Sequence, residues 1–164
     1  MQLPPHSVYT HTTSPLGQIT LAAAGQKLVG VWFEAQAHRP DLSRSEQAPK
    51  HPVLQQAAGQ LTQYFAGQRS HFDLPLDLST GTAFQQSVWQ GLQNIARGQT
   101  CSYQALSAAI GRPAAVRAVG GAVARNPLSI IVPCHRVIGA HGALTGYAGG
   151  LGRKTALLQL EGAL

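Results

Sequence analysis

Cysteine is scarce in this sequence, and long apolar runs are absent. Cys101 and Cys134 are the only cysteines, and neither belongs to a Cys-x-x-Cys pair or a Cys/His cluster. A disulfide-rich secreted scaffold and a zinc site are therefore not expected, and the sequence suggests no metal and no cofactor. No apolar run approaches the length of a membrane span, and residues 1–6 show no signal-peptide pattern. We expect a cytoplasmic protein with free thiols and no membrane partner.

Acidic residues are also few, and they are unevenly distributed. The net charge of +6 lies wholly in residues 83–164, where Glu161 is the only acid, while the charges of residues 1–82 balance. Arginine predominates in the basic half, as is typical of proteins that bind phosphates and bases, although ordinary solubilising charge remains an alternative. The cations of this half are Arg97, Arg112, Arg117, Arg125, Arg136, Arg153 and Lys154.

The first half of the chain has the pattern of a small sheet-and-helix domain, which we assign to residues 1–79. Residues 7–34 alternate between apolar and polar side chains around two turns, which predicts a β meander. Residues 35–51 are polar and predict a surface loop. Pro52 opens a helix that Gly67 ends. Residues 71–78 alternate like a strand that either joins the sheet or connects the two halves.

The second half, residues 80–164, is predicted to be mostly helical. Thr82 caps a helix reaching to about Gly98, and Ser102 caps a shorter helix. Pro113 opens a further helix over residues 114–124, and a final helix covers residues 152–161. Two helices joined by a tight turn at Gly111 match a helix-turn-helix, which is a weak signal for DNA binding by itself.

The segment Ile130-Ile131-Val132-Pro133-Cys134-His135-Arg136-Val137-Ile138 carries the chemistry of the chain. Its apolar, β-branched ends predict a buried strand that Pro133 interrupts. A buried cysteine often packs as a small hydrophobe. Here an imidazole and a guanidinium follow at once, and both can favour a thiolate, which is the reactive form of cysteine. The pattern therefore favours a nucleophilic thiol at Cys134.

Pro133-Cys134-His135-Arg136-Val137 resembles the active-site pentapeptide of the O6-alkylguanine-DNA alkyltransferases, also called methylated-DNA–protein-cysteine methyltransferases. The resemblance covers roughly residues 80–162, and the first half is similar only in layout to the small RNase H-like domain of that family. It implies an α+β fold in which this domain precedes a helical domain with a helix-turn-helix and the active-site cysteine. Five further segments agree in order and spacing: Ser102-Tyr103-Gln104-Ala105-Leu106, Arg117-Ala118-Val119-Gly120-Gly121-Ala122, Asn126-Pro127, Tyr147-Ala148-Gly149-Gly150-Leu151 and Leu160-Glu161-Gly162.

The resemblance implies a catalytic role for five residues. Cys134 would accept the alkyl group, His135 would deprotonate its thiol through a water molecule, and Glu161 would orient His135. Asn126 would brace the turn before the active site. Tyr103 would donate a hydrogen bond to N3 of the base and crowd the 3′ phosphate.

The resemblance also implies which residues contact DNA and the damaged base. Arg117 would fill the gap that a flipped nucleotide leaves, and the backbone of Cys134 would join the base pocket. The predicted DNA contacts are Ala115, Arg117, Ala118, Gly120, Gly121, Arg125 and Arg136. The predicted pocket residues are Val137, Tyr147 and Ala148. Some members of the family have serine where Ala148 stands, which leaves the range of substrates open.

The implied reaction is the stoichiometric transfer of an alkyl group from O6-alkylguanine, and from O4-alkylthymine, in flipped-out DNA bases to Cys134. The expected partner is double-stranded DNA that contains the lesion. We expect a monomer, and cooperative assembly on DNA stays open. Three alternatives remain: a non-catalytic alkylated-DNA-binding protein of the same fold, a cysteine hydrolase, and a helix-turn-helix regulator without chemistry.

Overall fold

The computed structural model describes residues 1–164, and its first half is a four-stranded sheet covered by one helix. The strands β1 (Val8–Thr12), β2 (Ile19–Ala24) and β3 (Lys27–Phe33) form the antiparallel meander that the sequence predicts. A short strand, β4 (Glu46–Gln47), pairs in parallel with β1 inside the segment predicted as a loop. The strand order is β3-β2-β1-β4.

Helix α1 (Pro52–Phe65) begins at the predicted proline and covers the sheet. The His51 side chain accepts a hydrogen bond from the Val53 amide at its first turn. Residues 71–78 form no continuous strand. Only Leu76 bridges to Leu28 of β3, so this segment serves mainly as the connection to the second half.

The second half is helical and contains one two-stranded parallel pair, β5 (Cys101–Ser102) with β6 (Val137–Ile138). Its helices are α2 (Ala83–Leu92), α3 (Tyr103–Ala109), α4 (Val116–Ala124) and α5 (Leu151–Leu160). Thr82 and Ser102 cap α2 and α3 as predicted, and Thr82 forms a reciprocal capping box with Gln85. No helix combines the length and the apolar character that a membrane span requires.

Two predicted boundaries in this half are wrong. Helix α2 ends at Leu92 rather than near Gly98, and α4 begins at Val116 rather than at residue 114.

The predicted strand over residues 130–132 does not form. Ile130 has a φ of 73°, a left-handed conformation incompatible with an extended strand, and the segment turns before Cys134. Burial, rather than strand pairing, explains its apolar residues.

The two halves share one hydrophobic core. Leu54 and Leu61 of α1 belong to the same buried cluster as Trp89 of α2 and Leu157 of α5. Arg153 fastens the halves further, since its guanidinium donates to the carbonyl oxygens of Leu16 and Glu34 at 3.0 and 2.9 Å. The active-site segment is therefore held between both halves.

Glycine substitutions should test the packing on the sheet. A Cβ atom at Gly30 would lie 1.7 Å from the Trp32 ring, whereas one at Gly59 of α1 would meet open space. We expect Gly30→Ala to lower the free energy of unfolding by about 1–3 kcal/mol through overpacking. Gly59→Ala should raise it by about 0.5–1 kcal/mol through helix propensity. Urea denaturation of both variants checks this, and equal effects would contradict it.

Candidate active site

The thiol of Cys134 lies at the start of a tight 3-10 turn, Cys134–Arg136, immediately after Pro133. Asn126 braces the preceding segment, because its side-chain amide donates to the Val132 carbonyl at 2.8 Å and its amide oxygen accepts from the Leu128 amide at 3.0 Å. Both contacts are buried. The Cys134 position is therefore fixed by its local backbone rather than by a regular strand.

His135, the residue after Cys134, forms a buried pair with Glu161. Nε2 of His135 lies 2.8 Å from Oε1 of Glu161, and both side chains are fully buried. Because the carboxylate accepts at Nε2, the neutral ring carries its proton there and leaves a lone pair on Nδ1. Nδ1 is buried and has no hydrogen-bond partner within the protein. His135 is thus arranged to accept a proton at Nδ1.

Burial and hydrogen bonding set the charge states of this pair. Burial lowers the pKa of His135 below its ordinary value of 6.5 and outweighs the opposite effect of Glu161. Burial alone would raise the pKa of Glu161, but hydrogen bonds from His135, Arg136 and Tyr64 hold it well below its usual range. At neutral pH the pair is therefore a neutral imidazole on an ionised carboxylate.

Arg136 was predicted to contact DNA, and the structure contradicts this. Its guanidinium is buried and donates to both oxygens of Glu161, with Nε 2.9 Å from Oε2 and Nη2 2.8 Å from Oε1. Nη1 donates to the Ile95 carbonyl. Glu161 is the only acid of this half, and Arg136 pairs with it inside the protein. Arg136 acts as the counter-charge of Glu161.

The thiol of Cys134 is also buried. Burial raises the pKa of Cys134, while the neighbouring Asn126 amide and Lys154 ammonium oppose that effect. Lys154 is fully buried, and its Nζ donates to the carbonyl oxygens of Val137, Thr145 and Gly146 at 2.5, 3.0 and 3.3 Å. The resting thiol is thus protonated and needs a base to react.

A cavity of about 320 Å³ opens onto Cys134. The predicted site residues Tyr103, Gly120, Tyr147 and Ala148 all line it. The full lining is His38, Tyr103, Gly120, Val123, Ala124, Cys134, Gly146, Tyr147 and Ala148. Tyr147 lines the cavity, and its hydroxyl is buried.

Val137 was predicted to contribute backbone groups to the base pocket, and it is not among the residues that line this cavity. Its side chain is fully buried, its amide donates to the Cys134 carbonyl, and its own carbonyl accepts from Lys154. Its amide is therefore used within the fold, while its carbonyl oxygen retains a second lone pair, so the backbone contact to a base stays a prediction. By contrast His38, from the loop after β3, reaches the cavity, and the Ala37 amide donates to the Ala148 carbonyl at 3.0 Å.

The predicted DNA-contacting residues of α4 lie at the surface. Arg117 and Ala118 are exposed, and Ala115, Gly120 and Gly121 are half-buried. Arg117 and Gly120 also line an open groove with Tyr103 and His141. Arg125 is exposed at the end of α4, where Nη1 donates to the Gly121 carbonyl at 3.2 Å. This helix therefore presents a smooth surface with one projecting arginine at its first turn.

Four of the seven cations in the basic half form contacts within the protein. The expectation that the positive charge of this half serves DNA binding therefore applies to fewer residues than the sequence suggests. Arg97 donates to the carbonyl oxygens of Arg69 and Leu160, and Arg153 donates to those of Leu16, Glu34 and Gly149. Arg136 and Lys154 are buried. The exposed remainder is Arg112, Arg117 and Arg125.

The chain matches two family profiles. Residues 83–163 match the 6-O-methylguanine DNA methyltransferase DNA binding domain, and residues 7–78 match the ribonuclease-like domain of the same proteins. This chain belongs to the methylated-DNA–protein-cysteine methyltransferase family. Its N-terminal sheet domain and helical C-terminal domain are those of the family fold.

Individual relatives of the methyltransferase family match over nearly the whole chain. The Mycobacterium tuberculosis protein is 49% identical over 153 residues, which are 93% of this chain and 91% of the relative. The constitutive Bacillus subtilis protein is 47% identical over 144 residues, 86% of each chain. The crystal structure of the Mycobacterium tuberculosis protein in complex with DNA has a TM-score of 0.89 and 46% identity, and covers 95% of this chain and 93% of that one.

Three residues of the site were not found from the sequence. Tyr64 fits the apolar face of the predicted helix, Lys154 is one of the seven cations of the basic half, and His38 lies in the predicted surface loop over residues 35–51. No local pattern distinguishes these residues. Each joins the site only through contacts between segments far apart in the chain.

Arg136 should be a stability residue. We expect Arg136→Ala to lower the free energy of unfolding by about 3 kcal/mol, because it removes the buried counter-charge of Glu161. Arg112→Ala, at an exposed arginine, should change it by less than about 0.5 kcal/mol. Urea denaturation at pH 7 measures both. A variant as stable as the unsubstituted protein, with weaker DNA binding, would restore the original prediction.

Proposed function

We propose that this protein repairs DNA by direct reversal, moving the alkyl group of O6-alkylguanine to Cys134 in a single turnover. The observation that carries the proposal is a cavity wall formed by the Cys134 thiol, backed by the buried His135–Glu161 pair. The relatives that match the whole chain are named methylated-DNA–protein-cysteine methyltransferases. The same cavity would accept O4-alkylthymine, and the reaction needs no cofactor.

The protonation states of the residues around Cys134 support a nucleophilic thiolate. His135 is neutral at pH 7 with a lone pair on Nδ1, so it can take the thiol proton, through one water molecule as the family resemblance implies. Glu161 is ionised and stabilises the imidazolium that forms. The charge of Lys154 also favours the thiolate. The thiolate therefore forms mainly when a substrate is present to react with it.

The chemical step is an in-line displacement. Sγ of Cys134 forms a bond to the alkyl carbon, the bond from that carbon to O6 breaks, and its electron pair stays on guanine. Tyr103 lines the same cavity and donates a proton to the base, and the proton that His135 took from the thiol returns to the Tyr103 oxygen. The products are guanine and a thioether, which nothing in the chain converts back to a thiol.

Access to a stacked base requires that the nucleotide be flipped out. We propose that α3 and α4 act as a helix-turn-helix, with α4 against the duplex and Arg117 in the gap left by the base. Ala115, Ala118, Gly120 and Gly121 would allow close approach of the DNA backbone. Arg125 would contact a phosphate.

We assign binding and transfer to residues 80–164 and the supporting sheet domain to residues 1–79. The expected partner is double-stranded DNA containing O6-alkylguanine, bound by a monomer in the cytoplasm. The non-catalytic alternative is disfavoured because such relatives replace the cysteine, and Cys134 is present with its base. The position of His135 directly after Cys134 disfavours a cysteine hydrolase. A helix-turn-helix regulator without chemistry would not need a thiol with a base beside it.

Cys134 should be the sole acceptor of the alkyl group. After incubation with DNA containing O6-methylguanine, intact-mass measurement should show one added methyl group on the unsubstituted protein and none on Cys134→Ser. Cys101→Ser is the matched control and should react nearly as the unsubstituted protein does, because Cys101 lies outside the cavity. Peptide mapping that placed the methyl group on Cys101 would overturn the assignment.

Arg117 should act on flipping rather than on chemistry. Arg117→Ala should slow repair of a duplex lesion by about 10- to 100-fold, because unstacking a base costs a few kcal/mol and the side chain offsets part of this. Reaction with free O6-benzylguanine should change less than about twofold, since a free base needs no flipping. Single-turnover rates on both substrates measure the difference.

Tyr103→Phe is the comparison for the Arg117 experiment, because Tyr103 faces the base itself and its loss should slow both reactions. An equal loss on duplex and free base for Arg117→Ala would show that Arg117 acts on the pocket or on folding. The flipping role would then be withdrawn.

A further inference from the structure

The sheet domain supplies a hydroxyl group directly to the active-site carboxylate. Tyr64, near the end of α1, is fully buried, and its OH donates to Oε1 of Glu161 at 2.7 Å. The same oxygen accepts from Nε2 of His135 at 2.8 Å. The two donors are separated by about half the chain and meet on one atom.

Several charged groups surround this point, and they constrain what Tyr64 can do. Arg136 donates to both oxygens of Glu161, and the Arg97 guanidinium lies 5.3 Å from the centre of the Tyr64 ring. Lys154 acts on His135 as well, and Tyr147 is a further ionisable group that interacts with Tyr64 and Cys134. Burial and the charge of Glu161 keep the pKa of Tyr64 well above its ordinary value, so the hydroxyl remains a donor throughout the physiological range.

We propose that Tyr64 is a positioning residue for alkyl transfer: its hydroxyl holds Oε1 of Glu161 and weakens the pull of that carboxylate on the His135 proton. The proposal rests on the proposed function, since it concerns the base that activates Cys134. It also gives the N-terminal domain a part in the chemistry, because Tyr64 is its direct contact with the His135–Glu161 pair.

The physical argument follows from the shared oxygen. A carboxylate oxygen that accepts several hydrogen bonds is a poorer base, and each donor reduces the negative charge available to the others. Without the Tyr64 hydroxyl, Glu161 would stabilise the imidazolium more strongly and raise the pKa of His135. More of the ring would then be protonated at mildly acidic pH. Since a protonated ring cannot accept the thiol proton, the reaction would slow there and only there.

A purely structural role predicts a different result. If Tyr64 only fills space between α1 and the end of α5, then removing its hydroxyl would leave the rate unchanged or change it by the same factor at every pH. The pH profile therefore separates positioning from packing. A free base is the appropriate substrate, because it removes DNA binding and flipping from the measurement.

The test is Tyr64→Phe in the full chain, with Tyr9→Phe as the matched control. Tyr9 is a half-buried tyrosine of β1 that packs on His11, far in sequence from the active-site segments. Single-turnover rates with O6-benzylguanine are measured from pH 5 to pH 8.5. We expect the acid limb for Tyr64→Phe to move upward by about half a pH unit, since part of one hydrogen bond to a charged group reaches His135. The variant would then react about threefold more slowly at pH values on the acid limb and normally near pH 8.

Two outcomes overturn the proposal: a Tyr64→Phe profile that superimposes on that of the unsubstituted protein, or a uniform slowing at all pH values. A parallel shift in Tyr9→Phe would overturn it as well. Unsubstituted protein that forms no adduct would instead overturn the proposed function. Should Tyr64→Phe fail to fold, NMR of the unsubstituted protein decides: the Tyr64 hydroxyl proton must be protected from exchange and must shift as His135 titrates.

Discussion

The carboxylate of Glu161 is the interaction on which the active site depends. It is the only acidic side chain in the basic half, and it accepts hydrogen bonds from His135, Arg136 and Tyr64 in a buried position. Removing two charges from water is costly unless each is paired and fully hydrogen-bonded. The geometry around Glu161 meets this condition, so the imidazole beside it can be both buried and correctly protonated.

Burial of the thiol and its base has a functional consequence. It keeps Cys134 protonated and His135 neutral at rest, which protects a single-use nucleophile from side reactions. Cys134 also lies in the wall of a cavity that Tyr103 and Tyr147 line, while His135 is fully buried. We therefore expect the Cys134 thiol to react with a base that occupies the cavity rather than with reagents in solution.

The use of positive charge inside the protein changes how its DNA affinity is understood. Arg136 and Lys154 stabilise the active site, while Arg97 and Arg153 connect segments of the two halves. Only three arginines of the basic half are exposed, and two of them belong to α4 or its end. Net charge therefore overstates the number of cations available to DNA phosphates, and the proposed binding mode depends correspondingly more on the shape of α4.

The sequence by itself determined the meander, the helix caps at Thr82 and Ser102, and the family, because turn chemistry, capping and the Pro-Cys-His-Arg segment are local. The individual residue roles rest on the resemblance and remain predictions. Tertiary structure decided the turn at Ile130, the inward course of Arg136 and the entry of Tyr64, His38 and Lys154 into the site. Burial and charge pairing between distant segments control those features. No local sequence pattern shows that Arg136, rather than another cation, pairs with Glu161.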